Sequence, residues 1–223
     1  MDWPLFLYNT YEREVHDCIQ KMLQPEAVFC DVGANVGCFT LLAAPLVGER
    51  GLVLGFEPQP DAFRRLQANL GLNHFDNVRL FPLALGAKEG EIGLYDGGAN
   101  WTHCASVYPS KWHEHCSRIP VRMAALDALL EQAQIRRVDL IKIDVEGAEL
   151  DVLTGATQCL RRCKPKLIIE INPTTMTAGG WRWGNLRDFL SPFGYRLCRL
   201  LDGGRIETLA PDLNIEVFTL VAV

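Results

Sequence analysis

Residues 27–37 read Ala27-Val28-Phe29-Cys30-Asp31-Val32-Gly33-Ala34-Asn35-Val36-Gly37. The first four residues are an apolar run of the kind that forms a buried strand, and the run ends at Asp31. The two glycines allow a tight turn, and the apolar stretch from Phe39 to Ala44 has the character of a helix. The order of strand, glycine turn and helix predicts the first unit of an α/β fold.

The same alternation repeats along the chain. Further apolar runs of strand length fall at residues 52–56, 78–83, 138–143 and 166–171. A helix is predicted after the first of these runs, with Asp61 as its N-cap. Strands that are apolar throughout and alternate with helices predict a parallel sheet covered on both faces. The last two runs, 195–201 and 215–223, have no helix between them and are predicted to pair antiparallel.

A single domain over residues 1–223 is predicted, since this length is short for two domains and no linker interrupts it. Within the region 1–25, Thr10 is predicted to begin an N-terminal lid helix, because apolar residues recur there at helical spacing. The irregular region is 96–118, rich in Trp, His and Cys, between the third and fourth strands. We expect it to be a substrate-lip insert.

Composition excludes several classes of protein. Lys and Arg total 22 against 27 Asp and Glu, so the net charge is −5 and a broad basic surface for nucleic acid is not expected. The longest apolar stretch, Phe39 to Val47, is far shorter than the ~18 residues that span a membrane. The eight cysteines lie in apolar segments and are interpreted as buried, reduced thiols. With no signal-peptide pattern at the start, a cytoplasmic location is expected.

The position of Glu57 relative to the glycine turn indicates which ligand the turn binds. Glu57 follows the second strand 24 residues after Gly33. An open α/β sheet places at this point the carboxylate that accepts both ribose hydroxyls of an adenosine ligand. The alternative is a glycine turn and a surface glutamate with no ligand, but their relative position favours nucleoside binding.

The turn also discriminates between cofactors. It is Gly33-x-x-x-Gly37 and lacks the Gly-x-Gly that admits a dinucleotide pyrophosphate. Asp31 would place a negative charge beside such a pyrophosphate, whereas an ammonium group suits that place. S-adenosylmethionine, which has an ammonium, a sulfonium and a ribose but no phosphate, therefore fits better than NAD.

Four motifs resemble those of one family. They are residues 31–37, Gly55-Phe56-Glu57-Pro58, Ala84-Leu85-Gly86 and Lys142-Ile143-Asp144-Val145-Glu146-Gly147-Ala148-Glu149, of which the last is the most specific. With them the chain resembles the FkbM-type family of S-adenosylmethionine-dependent methyltransferases over about residues 26–172. The resemblance implies a class I (Rossmann-like) methyltransferase fold: a seven-stranded, mostly parallel sheet with an antiparallel last strand and helices on both faces. It also implies methylation of hydroxyls on sugars and natural products.

The resemblance implies a set of cofactor-binding residues. They are Asp31, Gly33, Asn35, Gly37, Glu57, Ala84, Leu85 and Asp144. In this set Asp31 and Gly33 hold the methionine end, and Glu57 holds the ribose. The backbone of Ala84 and Leu85 meets the adenine edge.

Asp144 is the principal catalytic candidate. It ends the fourth strand and should point into the crevice where the transferable methyl group lies. Glu170 and Asn172 end the fifth strand beside it, and the three resemble the Mg²⁺ arrangement of catechol-type O-methyltransferases. Such an ion would lower the pKa of a bound hydroxyl. In the alternative, Glu170 only ends its strand and Asp144 orders the cofactor or the acceptor.

The insert supplies a second catalytic candidate. His103-Cys104 and His113-x-His115-Cys116 invite a zinc interpretation, but the absence of Cys-x-x-Cys favours the substrate lip. His103 is the predicted general base, since histidine titrates near neutrality. Trp101, Trp112, Trp181 and Trp183 either stack on an acceptor or pack within loops. Asn172-Pro173-Thr174-Thr175 is interpreted as a turn.

The resulting hypothesis is an O-methyltransferase that moves a methyl group from S-adenosylmethionine to a hydroxyl of a small molecule, sugar or natural product. Asp144, with His103 or Mg²⁺, would assist deprotonation. One alternative is an NAD(P)-dependent oxidoreductase on a similar sheet. Another is a non-catalytic methyltransferase-like interaction module.

Overall fold

The computed structural model of the chain describes residues 12–97, 105–109, 113, 116–209 and 216–223. The helices among them are α1 (Arg13–Met22), α2 (Cys38–Val47), α3 (Pro60–Gly71), α4 (Leu126–Gln132), α5 (Glu149–Thr154), α6 (Thr157–Cys163), α7 (Pro173–Ala178) and α8 (Trp183–Leu190). The strands are β1 (Val28–Val32), β2 (Leu52–Phe56), β3 (Val78–Phe81), β4 (Ala84–Leu85), β5 (Gly90–Asp96), β6 (Ser117–Ala124), β7 (Leu140–Ile143), β8 (Lys166–Ile171), β9 (Leu197–Leu201), β10 (Arg205–Thr208) and β11 (Phe218–Ala222).

The large sheet has the strand order β10-β9-β11-β8-β7-β1-β2-β3. Its five strands from β8 to β3 run parallel. Strand β11 is antiparallel to both of its neighbours, β8 and β9, as predicted for the last two apolar runs. The sheet has eight strands rather than the expected seven, because β10 pairs antiparallel with β9 and adds an edge strand.

A second sheet of three strands, in the order β4-β6-β5, stands beside the first. Strands β5 and β6 pair antiparallel from Gly90–Met123 to Asp96–Ser117, so the region 96–118 connects the two strands of one hairpin. Strand β4 pairs parallel with the end of β6. Pairing with β6 gives the short Ala84–Leu85 segment a fixed place next to β3.

Apolar cores lie on both faces of the large sheet. Side chains of α1 and α2 pack on one face, which includes Phe29 and Leu140. Helices α4 to α8 pack on the other, which includes Ile141 and Ile169. Alternate residues of each strand therefore enter different cores, as expected for a sheet covered on both sides.

Two local predictions differ from the structure. Helix α1 begins at Arg13, with Glu12 at its N-cap position, and Thr10 lies outside the described residues. Its apolar side chains Val15, Cys18 and Ile19 are buried in the core on one face of the sheet, and the lid role of this helix stays a prediction. Helix α3 is capped by Gln59, whose side chain accepts from Ala62 N, and Asp61 sits in the first turn. Pro60 at the first helical position favours that register.

The expectations about membrane crossing and about the cysteines can be compared with the described residues. None of their helices has the length and apolarity that a membrane crossing needs. The seven cysteines among them form no disulfide, and four of these are buried.

The position of Gly33 explains why the turn after β1 needs a glycine. Its φ is +79°, and a Cβ there would lie 1.8 Å from the backbone oxygen of Asp144. The turn after β1 and the loop after β7 therefore touch backbone to backbone, and no side chain fits between them.

We expect Gly33→Ala to lower the free energy of unfolding by about 2–4 kcal/mol, from left-handed strain together with overpacking. Denaturant unfolding measures this loss. Gly71→Ala is the matched control, because Gly71 lies in a helix with open space around its Cβ position. It should be neutral or slightly stabilising. Equal stabilities of the two variants would contradict the close approach.

Candidate active site

A cavity of about 360 Å³ lies over the carboxyl ends of the parallel strands. Its lining follows the order of the sheet from Glu170 near the end of β8, through Asp144 and Gly33, to Glu57 after β2 and then to β4. This is the edge at which open α/β sheets bind ligands, where the order of the strands reverses. Most of the sequence-predicted site residues meet here.

Glu57 is buried, and its carboxylate joins two loops. One oxygen, Oε2, accepts from Asn35 N at 2.8 Å, and Oε1 accepts from Gln59 N at 2.7 Å. Each oxygen keeps a second lone pair, so the carboxylate can still accept a hydroxyl on its cavity side. Burial raises the pKa of Glu57 to about 7, against the lowering effect of the two backbone donors.

An apolar slot lies beyond Glu57. It is built from Leu83, Ala84, Leu85, Leu94, Ala105 and Val107. The slot has the apolar walls that a purine ring requires. Ala84 and Leu85, the predicted adenine-side residues, form part of it. Ala105 and Val107 belong to the predicted substrate-lip insert, so part of that insert lines the slot.

This part of the insert is fastened to the rest of the molecule. Ser106 pairs with Tyr95 through both backbone groups, and its Oγ donates to the backbone oxygen of Glu146 at 2.7 Å. The hydroxyl of Tyr108 donates to Asp151 Oδ2 at 2.5 Å. Residues 105–109 therefore join the slot to the loop after β7. Deleting the whole insert would therefore remove one wall of this cavity.

The glycine turn places only some of its predicted residues at the cavity. Gly33 and Asn35 line it, whereas Gly37 is the left-handed N-cap of α2, where a Cβ would meet Leu66. Asp31 is fully buried beneath the turn and does not line the cavity. Its Oδ2 accepts from Thr40 Oγ1 at 2.6 Å, and among the described residues its Oδ1 has no hydrogen-bond partner.

Three carboxylates lie close together at the end of the cavity that is away from the apolar slot. Asp144, Glu146 and Glu170 each bring an oxygen within 4.8 Å of the others. Burial first, and then the neighbouring Asp144, raises the pKa of Glu146 to about 7 and that of Glu170 to about 9. Like charges held this close in a half-buried site disfavour full ionisation. The cluster therefore suits a cation or a shared proton.

The loop that presents Asp144 and Glu146 is held rigidly. Glu149 Oε1 accepts from Gly147 N at 3.0 Å, and the indole nitrogen of Trp181 donates to the Gly147 oxygen at 2.8 Å. Glu146 has a φ of +54°, which directs its side chain into the cavity, and Ser106 holds its carbonyl. Trp181 is thus a packing residue of this loop. Trp183 is half-buried against Phe218, so both contacts favour the packing alternative for these two residues.

Lys142 is a functional candidate that the sequence analysis missed. It is buried in the middle of β7, and its Nζ donates to Asp144 Oδ2 at 3.0 Å. The sequence does contain a signal for it, because a lysine inside a strand of otherwise apolar residues needs a buried partner of opposite charge. Burial opposes its charge, but Asp144 and Asp31 outweigh that effect and raise the pKa of Lys142.

Asn172 is not placed as a ligand of the carboxylate cluster. Its side-chain oxygen accepts from Thr174 N at 3.0 Å and caps α7, which replaces the predicted turn at Asn172-Pro173-Thr174-Thr175. An asparagine followed by a proline is a pattern of helix starts, and that signal was overlooked. Glu146 takes the third place in the cluster.

Much of the histidine- and cysteine-rich insert falls outside the described residues. This applies to His103, Cys104, His115, Trp101 and Trp112. His113 is buried and packs against the Tyr95 ring at 5.6 Å. Among the described residues, the carboxylate cluster is the one group placed to hold a metal ion.

Comparison with known proteins identifies the family. The model of the methyltransferase FkbM domain matches residues 31–197. The chain belongs to the FkbM methyltransferase family. Among FkbM-type relatives, 2-O-methyltransferase NoeI of Sinorhizobium fredii is 31% identical over 168 residues, which cover 70% of this chain and 68% of that protein. Hexuronic acid methyltransferase AglP of Haloferax volcanii is 28% identical over 165 residues, covering 72% and 62%.

A third relative is much longer than this chain. AMB antimetabolite synthetase AmbE of Pseudomonas aeruginosa is 28% identical over 228 residues, which cover 86% of this chain and 10% of that protein. The chain therefore spans a tenth of AmbE and somewhat under 70% of the other two relatives.

Solved structures confirm the class I fold of the FkbM-family chain. Methyltransferase FkbM from Methylobacillus flagellatus superposes with a TM-score of 0.59 at 17% identity, over 96% of this chain and 47% of that one. An S-adenosylmethionine-dependent O-methyltransferase from Thermotoga maritima has a TM-score of 0.53 at 12% identity, over 99% and 69%.

The pKa of Glu57 predicts a pH dependence of adenosine binding. Only the ionised carboxylate accepts both ribose hydroxyls, and burial raises its pKa to about 7. Affinity should therefore fall as the pH drops, by about tenfold between pH 8 and pH 6 for a single group with this pKa. Calorimetric titration with adenosine at both pH values measures the change.

Two controls test the cause of that pH dependence. With 2′,3′-dideoxyadenosine, which lacks the hydroxyls, and with the Glu57→Gln variant, the affinity should become flat between pH 6 and pH 8. A tenfold change that persists in both controls would place its origin in another group.

Proposed function

We propose that this chain transfers a methyl group from S-adenosylmethionine to a hydroxyl of a small molecule, sugar or natural product. The observation that carries the proposal is the single cavity that joins an apolar slot, the Glu57 carboxylate and the Asp144 strand end. These features match adenine, ribose and the reacting methyl group in turn. The names of NoeI and AglP, a 2-O-methyltransferase and a hexuronic acid methyltransferase, support O-methylation and a sugar-like acceptor.

In this proposal the protein acts mainly by positioning the reactants. When bound, S-adenosylmethionine would supply a methyl group on sulfur, and transfer to the acceptor oxygen would break that carbon–sulfur bond and leave a thioether. In-line alignment of the two reactants supplies most of the rate. Asp144 borders both the cofactor cavity and a second cavity of about 150 Å³, so an acceptor in the second cavity would meet the cofactor beside this carboxylate.

Methyl transfer to a hydroxyl requires a group that accepts the proton of that hydroxyl. Asp144 is the proposed acceptor of that proton, because its carboxylate lies at the junction of the two cavities. His103 stays a predicted alternative base. Neither role is required for binding the cofactor, so binding and turnover can be tested separately.

Calorimetry with S-adenosylmethionine and with NAD tests the class of function. We expect binding of S-adenosylmethionine only. An oxidoreductase would instead bind NAD, and an interaction module would bind neither ligand. Release of labelled methyl product from a library of hydroxyl compounds then identifies the acceptor.

Asp144→Asn should lower kcat on the order of 10²- to 10⁴-fold while the affinity for S-adenosylmethionine changes little, because assistance to proton transfer is lost at constant size. Asp188→Asn is the matched control, since Asp188 is an exposed residue of α8 and does not line either cavity. The rate of transfer of a labelled methyl group measures kcat for both variants. Near-normal turnover by a folded Asp144→Asn protein would shift the proton acceptor to His103 or to solvent.

A divalent cation is a second, finer proposal for the same site. Three carboxylates within 4.8 Å of one another match the oxygen ligands that Mg²⁺ prefers. Asp144, Glu146 and Glu170 would hold the ion, and Asn172 of the predicted set would not. When bound, Mg²⁺ would supply a lowered pKa for the acceptor hydroxyl.

Direct metal binding tests this second proposal without any acceptor. We expect one Mn²⁺ per chain by electron paramagnetic resonance on the S-adenosylhomocysteine complex. Glu146→Gln should weaken binding at least tenfold, and the exposed control Glu89→Gln should not. Stoichiometric binding that survives Glu146→Gln, or no binding at millimolar Mn²⁺, would remove the metal from the proposal.

A further inference from the structure

Lys142 occupies an unusual place between two carboxylates. Strands β1 and β7 pair in register with Asp31 opposite Lys142, so the two side chains project from the same face of the sheet. Asp144 directly follows β7, two residues after Lys142, and the Lys142 side chain reaches its carboxylate. The result is a buried row in which Thr40 bonds Asp31, Lys142 follows, and Lys142 bonds Asp144 at the cavity wall.

The side chain of Lys142 is almost fully buried. The Phe39 ring of α2 covers it, with Nζ 5.0 Å from the ring centroid. Within the described part of the chain, Lys142 Nζ donates to Asp144 Oδ2 at 3.0 Å, and Asp31 Oδ1 has no hydrogen-bond partner there. Lys142 is therefore paired with Asp144, the carboxylate at the cavity wall.

Asp144 depends on this contact for its orientation. The bond from Lys142 is the one hydrogen bond that the structure gives the Asp144 carboxylate within the described part of the chain. Glu146 and Glu170 lie close on its other sides and repel it when ionised. Without the ammonium group, the carboxylate would be free to rotate away from its negative neighbours.

From these contacts we infer that Lys142 is a positioning residue of the methyl transfer, which holds the Asp144 carboxylate at the junction of the two cavities. The inference rests on the proposed function, because it assigns Lys142 a role through Asp144. Lys142 lines both cavities, but its ammonium group is directed at Asp144. Its contribution is thus geometric and electrostatic rather than a contact with the reacting atoms.

The competing explanation is that Lys142 only neutralises buried Asp31. That role would be purely structural, and removing Lys142 alone would leave an uncompensated buried charge that unfolds the protein. The single variant therefore cannot separate the two roles. A background in which Asp31 is already neutral can do so.

Asp31→Asn supplies that background. The amide has the size of the carboxylate, and its oxygen can accept the Thr40 hydroxyl as Asp31 Oδ2 does. Adding Lys142→Met then replaces the ammonium with an apolar side chain of similar length. The informative comparison is Asp31→Asn against Asp31→Asn/Lys142→Met, with thermal unfolding to verify that both are folded.

If Lys142 positions Asp144, the double variant should show a kcat on the order of 10- to 100-fold below that of Asp31→Asn, with the affinity for S-adenosylhomocysteine within about threefold. Adding Asp144→Asn should then cost much less than it does in the Asp31→Asn background, because both changes remove the same contribution. Additive losses would contradict action through Asp144.

A crystal structure of the double variant with S-adenosylhomocysteine decides the question even where no acceptor has been found. We expect the Asp144 carboxylate to have turned away from the junction of the cavities. A double variant with the kcat of Asp31→Asn, or with Asp144 unmoved, overturns the inference. Failure of the unaltered protein to bind S-adenosylmethionine would instead overturn the proposed function.

Discussion

The contact between Gly33 and the backbone oxygen of Asp144 is the constraint on which the site depends. Strands β1 and β7 are neighbours, and the loops that follow them must diverge to leave a crevice yet stay close enough to share one ligand. A missing side chain at Gly33 permits that approach. The close approach places the glycine turn after β1 against the loop that carries Asp144 and Glu146.

The second organising feature is an imbalance of charge at one end of the cavity. Asp144, Glu146 and Glu170 converge there, and Lys142 is paired with the first of them. Glu149 is turned to the loop's backbone donors instead. Burial and repulsion raise the pKa of Glu146 and of Glu170. A cation, a proton shared between carboxylates, or the sulfonium of the cofactor would each relieve this repulsion, which connects the electrostatics to the proposed chemistry.

The parallel part of the fold could be predicted because its signals are local. The apolar runs, the glycine turn and the spacing to Glu57 are all readable within a few tens of residues, and the structure brings Gly33, Asn35, Glu57, Ala84, Leu85 and Asp144 to one cavity. The second sheet was not predictable in this way, since β4 has two residues and gains its place only by pairing with β6, far along the chain. The edge strand β10 was missed although it pairs locally with β9, because it is only four residues long and Ile206 is its one apolar residue. Lys142, Gln59 and the cap at Asn172 did leave local signals, in a lysine among apolar residues and in prolines at helix starts.

The central claim is that an adenosyl cofactor lies across this cavity, with its ribose on Glu57 and its sulfur toward Asp144. A crystal structure of the protein with S-adenosylhomocysteine tests it most directly. The account predicts ribose hydroxyl oxygens about 2.5–3.2 Å from the Glu57 carboxylate, adenine between Leu85 and Val107, and the sulfur on the side of Asp144. A ligand bound elsewhere, or one reversed so that its adenine meets the carboxylate cluster, would contradict it.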